Sequence, residues 1–230
     1  MRILWIGLAL LVLLAVGVPA ALLLSGTVDT TSLRMALNVI SGAGGPPADP
    51  VTVERNYRAP EGFAVSLYAA DLPRARFLRF TPGGDLLVSR PHAGDILLLR
   101  ADADGDGQAD GREVLLEGLK RPLGLDLHAG WLYVAESNRV FRVRFDGAAG
   151  RIDGAPESVI EGLTDNGNHW SKTIRFGPDG MLYLSQGSTC NVCVEEDPQR
   201  ATMMRFNADG SGAETFASGL RNSAGFDWAP

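Results

Sequence analysis

The sequence predicts an all-β fold built from a repeat of about fifty residues. Three segments share a short strand, a turn containing glycine and a second β-rich strand, which together predict a β-hairpin. These segments are 77–89, 124–135 and 174–185. Their turns, at Pro82, Ala129 and Pro178, follow one another at steps of 47 and 49 residues. Glycine and proline, 28 and 13 of the 230 residues, supply the many turns that such a fold requires.

Further strands recur after each hairpin. The middle ones are Asp95–Arg100, Val140–Phe145 and Met203–Phe206, and the last ones lie within Glu113–Leu119, Glu157–Leu163 and Glu214–Leu220. Four short strands in each repeat are typical of a β-propeller blade. A β-sandwich with evenly spaced hairpins is the alternative architecture.

The repeat count predicts an incomplete propeller. A fourth copy begins at Gly225, and the sequence ends within it at Pro230. A propeller must close on itself to cover its strand edges. We therefore expect 59–230 to be the N-terminal part of a longer propeller, truncated at its C-terminus, that is inactive alone because its channel is open.

An apolar segment precedes the repeats. Ile3–Leu24 contains 22 consecutive residues without a charge, and as a helix of about 33 Å it would span a bilayer core. Arg2 lies before it and Asp29 is the first charge after it, which predicts a cytoplasmic N-terminus and an exported remainder. A cleaved signal peptide is the alternative, because residues 18–20 resemble a cleavage site.

The predicted organisation is therefore a transmembrane anchor or signal sequence at 1–24, a linker at 25–58 and the propeller part at 59–230. The formal net charge is −6, from 21 Lys and Arg against 27 Asp and Glu. Nucleic-acid binding needs a concentrated basic face, which is lacking here. A nucleic-acid partner is thus excluded, and the mixed charge with 45% hydrophobic residues excludes disorder.

The segment Asp102–Glu113 fits a twelve-residue calcium loop. Acidic residues stand at positions 1, 3, 5 and 9, glycine at 6 and glutamate at 12. The predicted metal ligands are Asp102, Asp104, Asp106, Gln108, Asp110 and Glu113, with Gln108 offering its backbone carbonyl. Strand-like flanks predict a structural site without paired helices, and a polar turn that binds no metal is the alternative.

Histidine occurs three times. His92 and His128 lie in predicted turns, where we expect solvated side chains. His169 lies in a polar insertion, 164–172, just before the first strand of a repeat. Loops at this place line the channel mouth of a propeller, where a histidine can take a proton from a substrate hydroxyl near neutral pH.

Cys190 and Cys193 are the only cysteines. A short disulfide suits an oxidising, exported compartment, and a free pair without chemistry of its own is the alternative. Covalent haem would need a histidine where Val194 stands. Zinc would need two further soft ligands.

Four short motifs carry a resemblance to a known family. They are Pro60–Val65, Leu72–Arg76, Gly167–Ile174 and Gly219–Phe226. They are similar to the quinoprotein sugar dehydrogenases of the glucose/sorbosone dehydrogenase type, and the loop 187–193 looks most like the sorbosone branch. The resemblance implies a six-bladed propeller in the periplasm, with pyrroloquinoline quinone (PQQ) in the channel mouth and calcium beside it.

The resemblance also implies roles for particular residues. His169 matches the general base, which removes the alcohol proton while hydride passes to C5 of the quinone. Arg221, Asn222 and Arg76 match cofactor-binding positions. Asn168 stands where the soluble glucose enzymes carry an acidic residue. The loop at Asp102–Glu113 is separate from the calcium beside the cofactor.

The resulting hypothesis is a membrane-anchored, periplasmic, quinone-dependent aldose or sorbosone dehydrogenase. Its partners would be a sugar or sugar aldehyde, a respiratory electron acceptor and the inner membrane. Secretion to the periplasm after signal cleavage is the alternative location. The alternative functions are a non-catalytic cell-surface propeller that binds a ligand or partner, and a metal-dependent lactonase-like propeller.

Overall fold

The computed structural model describes residues 49–229, together with Ser25 and Leu37. The chain divides into two units after Ala48, and the second unit contains every strand of the described residues. The predicted membrane or signal helix at 3–24 lies outside the described residues. Within the described part of the chain, no helix has the length and apolar character needed to cross a membrane.

One short helix, α1 (Pro50–Asn56), begins the described chain and lies in the predicted linker. The Asp49 carboxylate accepts a hydrogen bond from the Thr52 backbone N–H at 2.9 Å, and Pro50 occupies the first turn. Both are favourable at a helix start, because the first N–H groups lack partners within the helix. Only Val53 of this helix is buried.

The rest of the structure is three four-stranded antiparallel sheets, each joined in simple up-and-down order. The first contains β1 (Phe77–Phe80), β2 (Leu86–Arg90), β3 (Asp95–Arg100) and β4 (Gly111–Leu116). The second contains β5 (Leu125–His128), β6 (Trp131–Ala135), β7 (Val140–Asp146) and β8 (Arg151–Ile160). The third contains β9 (Lys172–Phe176), β10 (Leu182–Gln186), β11 (Thr202–Phe206) and β12 (Glu214–Ala217). The predicted repeat of four strands is confirmed.

The hairpin turns follow the local sequence. In the β5–β6 hairpin His128 pairs with Trp131, so the turn contains only Ala129 and Gly130. Both have positive φ, 48° and 78°, which is the conformation of a type I′ turn and matches the twist of the flanking strands. A register irregularity recurs between the third and fourth strands of all three sheets.

The hydrophobic core lies between successive sheets. One cluster joins the first two sheets, with Leu87, Ile96, Leu98, Leu125, Leu132, Val134, Phe141, Val143 and Phe145. Another joins the second and third sheets, with Tyr133, Ala135, Val140, Ile160, Leu163, Ile174, Leu182, Leu184, Met204 and Phe206. The middle sheet is therefore covered on both faces, as in part of a β-propeller, whereas a two-sheet sandwich buries only one face of each sheet.

The start of the predicted fourth copy lies beside β9, although no strand is assigned there. The Thr173 hydroxyl donates to the Ala224 carbonyl at 3.0 Å, and the Trp228 indole N–H donates to the Phe176 carbonyl at 2.9 Å. The segment 222–228 thus lies beside β9 in the same way as β9 lies beside β5.

Charged side chains at one equivalent position link successive repeats. Arg79, Asp126, Arg175 and Asp227 all stand three positions before the turn residue of their repeat. Arg79 pairs with Asp126 at 2.8 Å, and Arg175 pairs with Asp227 at 2.9 Å. The other oxygen of Asp126 accepts the Phe176 backbone N–H at 2.6 Å. One buried carboxylate therefore joins strands of three repeats.

We predict that Asp126→Asn lowers the free energy of unfolding by about 2–4 kcal/mol, because it removes the buried negative charge and one of two acceptor oxygens. Urea unfolding followed by tryptophan fluorescence measures the change. Asp153→Asn, at an exposed position of β8, is the matched control and should stay within about 0.5 kcal/mol of wild type. Equal effects of the two substitutions would contradict the bridging role of Asp126.

Candidate functional site

Three of the predicted site residues lie together at one end of the third sheet. His169 precedes β9, Arg221 and Asn222 follow β12, and the loop 187–201 joins β10 to β11. Gly187 shows how close they are, because a Cβ at this position would collide with the His169 Cβ and the Asn222 side-chain oxygen. Only glycine therefore allows the histidine and the asparagine to approach the same backbone.

Ser188 holds the imidazole of His169. The backbone pairs first, with His169 N–H donating to the Ser188 carbonyl at 3.3 Å. His169 Nδ1 then lies 2.9 Å from Ser188 Oγ and 3.1 Å from the Ser188 carbonyl oxygen. Ser188 Oγ also lies 2.6 Å from the Cys190 carbonyl oxygen, to which it donates.

Counting donors assigns the tautomer of this histidine. A hydroxyl has one proton, and Ser188 uses it on the Cys190 carbonyl. Both atoms that face His169 Nδ1, the Ser188 carbonyl and hydroxyl oxygens, are therefore acceptors. Nδ1 must carry the proton, which leaves Nε2 with a free lone pair. Among the described residues, no hydrogen bond engages Nε2, so it is available as a base.

Arg221 is anchored by the same loop. Its Nε donates to the Asn191 backbone carbonyl at 3.1 Å, and a terminal nitrogen donates to the Asn191 side-chain oxygen at 2.9 Å. The Arg221 carbonyl accepts the Ser188 backbone N–H at 2.7 Å. Cys190 and Cys193, on either side of Asn191, form a disulfide, which was one of the two predicted states. A cavity of about 430 Å³ lies against this loop and Arg221.

Two buried cations fix the loop 164–170. Arg200 is 2% exposed and donates to backbone carbonyls of Thr164, Asn166, His169 and Gly187. Lys172, fully buried, donates to the Thr164 carbonyl at 2.9 Å and the Trp170 carbonyl at 3.0 Å. The two ends of this loop are thus tied to one ammonium group.

The electrostatics at this end are dominated by cations. Burial lowers the pKa of Lys172 to about 7, and the nearby Arg200 charge acts in the same direction. Asp165 lies 2.9 Å from both Lys120 and Arg121. Its hydrogen bond with Lys120, helped by Ser137 and Arg121, holds the pKa of the Asp165 carboxyl well below its usual range. Four basic side chains, Lys120, Arg121, Lys172 and Arg200, thus lie near two carboxylates, Asp165 and Asp197, and this excess of basic groups favours a negatively charged ligand.

Arg76 is separate from this group. It lies just before β1, and its backbone N–H donates to the Ser89 carbonyl at 3.0 Å. Its side chain is exposed and makes no hydrogen bond or ion pair with a described residue. Its cofactor role stays a prediction. Of the other histidines, His92 lies 2.9 Å from Arg74. His128 ends β5 and stacks on Phe176 at 3.9 Å between ring centres, so the prediction of a solvated turn residue was wrong for His128.

The predicted calcium loop follows β3 and extends into the first residues of β4, away from His169 in the sequence. Asp102, Asp104 and Asp110 offer carboxylate oxygens within 4.8 Å of one another. Glu113 instead pairs with Arg100, and Asp106 accepts from the Gln108 backbone at 2.7 Å. The structure thus brings three of the six predicted ligands together, and calcium binding stays a prediction.

Ser188 and Arg200 were missed by sequence analysis. A signal existed for Ser188, because the β9–β10 hairpin pairs Lys172 with Gln186. Extending that register places Ser188 opposite Trp170, next to His169. Arg200 has no such signal, since three of its four carbonyl partners lie 31 to 36 residues back along the chain.

Comparison with known proteins identifies the family. A family profile described as TrAA12-like matches residues 57–230. The chain belongs to this family. Membership confirms the resemblance to quinoprotein sugar dehydrogenases, while the sorbosone branch stays a prediction.

Solved structures share the fold of this TrAA12-like chain. The calcium structure of the family AA12 enzyme from Trichoderma reesei is 21% identical with a TM-score of 0.57, covering 72% of this chain and 42% of that one. The holo PQQ domain of pyranose dehydrogenase from Coprinopsis cinerea is 20% identical with a TM-score of 0.57, covering 65% and 39%. The chain thus spans about two fifths of the length of these structures. No curated protein matches it.

We predict that stability rises with pH because of Lys172. The unfolded chain keeps this proton up to the ordinary lysine pKa of 10.5, whereas the folded chain releases it near pH 7. Between these values the unfolded state binds more protons, so the free energy of unfolding increases with pH, by at most about 1.4 kcal/mol per unit.

Urea unfolding from pH 6.5 to 9.5 measures this slope. Lys172→Met should flatten it, while Lys120→Met, which removes the only other lysine, should not. An unchanged slope in Lys172→Met would show that the buried ammonium is not the source.

Proposed function

We propose that this chain carries the base and part of the cofactor site of a PQQ-dependent sugar dehydrogenase. The observation that carries the proposal is the His169 imidazole, whose Nδ1 is committed to Ser188 while Nε2 is free to accept a proton. General bases are recognised by this pairing with an orienting partner. Membership of the TrAA12-like family supports the same reading.

The residues fit an anionic quinone. The Asn222 side-chain oxygen and the His169 Cβ both approach Gly187. Arg221 is held by Asn191 of the adjoining loop, and a guanidinium suits both carboxylates and quinone oxygens. Lys120, Arg121, Lys172 and Arg200 add positive charge at the same end. When bound, PQQ would supply the two-electron acceptor that takes a hydride from the substrate carbon.

The protein's own part is to move the hydroxyl proton. His169 Nε2 would accept the proton from the sugar hydroxyl, and the donated bond from Nδ1 to Ser188 would strengthen as the ring becomes positively charged. The ring is held by neutral acceptors, the Ser188 hydroxyl and carbonyl oxygens. Lys172 and Arg200 keep the loop in place during the transfer.

The finer features are part of the same proposal. They are an aldose or sorbosone as substrate, a six-bladed propeller in the full-length protein, a respiratory electron acceptor, and export with an N-terminal anchor. The apolar segment at 3–24 supports the last of these.

Two measurements test the function. In the full-length protein loaded with calcium and PQQ, an aldose should reduce an artificial dye, and His169→Ala should lower kcat by about 10²–10⁴-fold because a general base is lost. Binding of PQQ, followed by tryptophan fluorescence, should survive this substitution. His128→Phe, which keeps the stack on Phe176, is the control and should keep full activity. Undiminished turnover in His169→Ala would refute the assignment.

We also propose that the loop Asp102–Glu113 binds calcium as a structural site. The convergence of Asp102, Asp104 and Asp110 supports this, since calcium takes clustered carboxylate oxygens in such loops. With a Kd of about 10⁻⁴–10⁻³ M, 10 mM calcium should add roughly 1.4–2.7 kcal/mol to the free energy of unfolding.

Unfolding with and without calcium measures the gain. The double substitution Asp102→Asn, Asp104→Asn should abolish it, whereas Asp209→Asn, in the exposed turn between β11 and β12, should keep it. The same gain in the loop variant would place the calcium elsewhere.

A further inference from the structure

The guanidinium of Arg221 depends on a single residue for its orientation. Its two hydrogen bonds go to the backbone carbonyl and the side-chain oxygen of Asn191, at 3.1 and 2.9 Å. No other hydrogen bond or ion pair within the described residues engages this guanidinium. Because one residue supplies both acceptors, any displacement of Asn191 displaces the arginine as well.

Asn191 is in turn fixed by the disulfide on either side of it. Cys190 and Cys193 are joined, so Asn191 lies in a loop closed by three residues of separation. The loop tip has little packing of its own, since Val192 is 96% exposed and Val194 is 93% exposed. With so few noncovalent contacts, the covalent bond is the main restraint on where Asn191 lies.

The base of this loop is anchored independently of the disulfide. The backbone N–H of Thr189 donates to Glu195 at 2.6 Å, and its hydroxyl lies 3.0 Å from both Glu195 oxygens. Ser188, the residue before Thr189, is 6% exposed and holds His169. Opening the disulfide would therefore release the tip that carries Asn191 while the Ser188 contact to His169 persists.

We propose that Asn191 is the positioning residue for Arg221 and that the Cys190–Cys193 disulfide keeps it in place. The device rests on the proposed function, because Arg221 is the group that would hold the quinone. Reduction by a dithiol transfers two electrons and two protons to the disulfide, giving two cysteine thiols and the oxidised, cyclic disulfide of the reagent. Cys193 is exposed, so the reagent can reach it.

The consequence is a loss of preorganisation at the cofactor site. An arginine that must be ordered on binding costs about 0.5–1.5 kcal/mol more than one already held, which corresponds to roughly two- to tenfold weaker binding. His169 should keep its geometry. Opening the disulfide should therefore weaken cofactor binding without changing proton transfer by His169.

The first experiment measures PQQ affinity by quenching of tryptophan fluorescence in the full chain. Since thiols add to quinones, the open loop is represented by Cys190→Ser, Cys193→Ser. This variant and Asn191→Ala should bind PQQ two- to tenfold more weakly, and Asn191→Asp, which keeps an acceptor for Arg221, should restore affinity. Asn207→Ala, in the β11–β12 turn, is the matched control and should match wild type.

A double-substitution cycle distinguishes positioning from a general structural effect. In an Arg221→Ala background, Asn191→Ala and the serine pair should cause no further loss, because the residue they position is gone. An equal loss in both backgrounds would overturn the proposal.

The second experiment does not use the quinone. Phenylglyoxal modifies accessible arginines, and mass spectrometry follows the peptide that contains Arg221 in oxidised and dithiol-reduced protein. The modification rate at Arg221 should rise several-fold on reduction, while that at Arg205, which pairs with Glu214 at 2.9 Å, should not change.

The two readouts separate the possible failures. An unchanged rate at Arg221 would overturn the positioning device whatever PQQ does. If the oxidised wild type does not bind PQQ while the rate at Arg221 still rises, the device stands and the proposed function fails.

Discussion

The carboxylate of Asp126 is the point at which three successive repeats are joined. It belongs to β5, pairs with Arg79 of β1 and accepts the Phe176 N–H of β9. Removing a carboxylate from water is expensive, and the cost is offset only where charged and N–H donors converge on it. The first strands of the repeats can converge here only in one relative position. The apolar contacts between sheets, which are less directional, then follow from that alignment.

This alignment also decides what meets at the other end of the strands. Because β9 and β10 are antiparallel, the residues before β9 lie beside those after β10. The register of this hairpin alone therefore places His169 next to Ser188. The buried cations Lys172 and Arg200 then fix the loop 164–170 by donating hydrogen bonds to its backbone carbonyls. The site thus uses the regular hairpin for placement and buried cations for rigidity.

The sequence was informative where the determining interactions are local. Turn residues such as Ala129-Gly130 and the spacing of hairpins depend on neighbours in the chain, so the four-stranded repeat could be predicted. The polar insertion before β9 similarly marked His169. Lys172 could not be recognised as buried, because a lysine at the start of a strand is usually solvated. Arg200 depends on carbonyls more than thirty residues away, which only the folded chain brings together.

The charged residue three positions before each turn alternates in sign along the repeats, as Arg79, Asp126, Arg175 and Asp227. Each of the two aspartates also accepts a hydrogen bond from the backbone N–H of the residue that follows it. Asp126 and Asp227 are therefore equivalent in their backbone contacts as well as in their charge. In the closed propeller proposed for the full-length protein, such an alternation can continue around the ring only if the number of blades is even. The electrostatic repeat is thus a pair of blades, about one hundred residues long. Gain or loss of a single blade would set like charges side by side, whereas gain or loss of a pair would not.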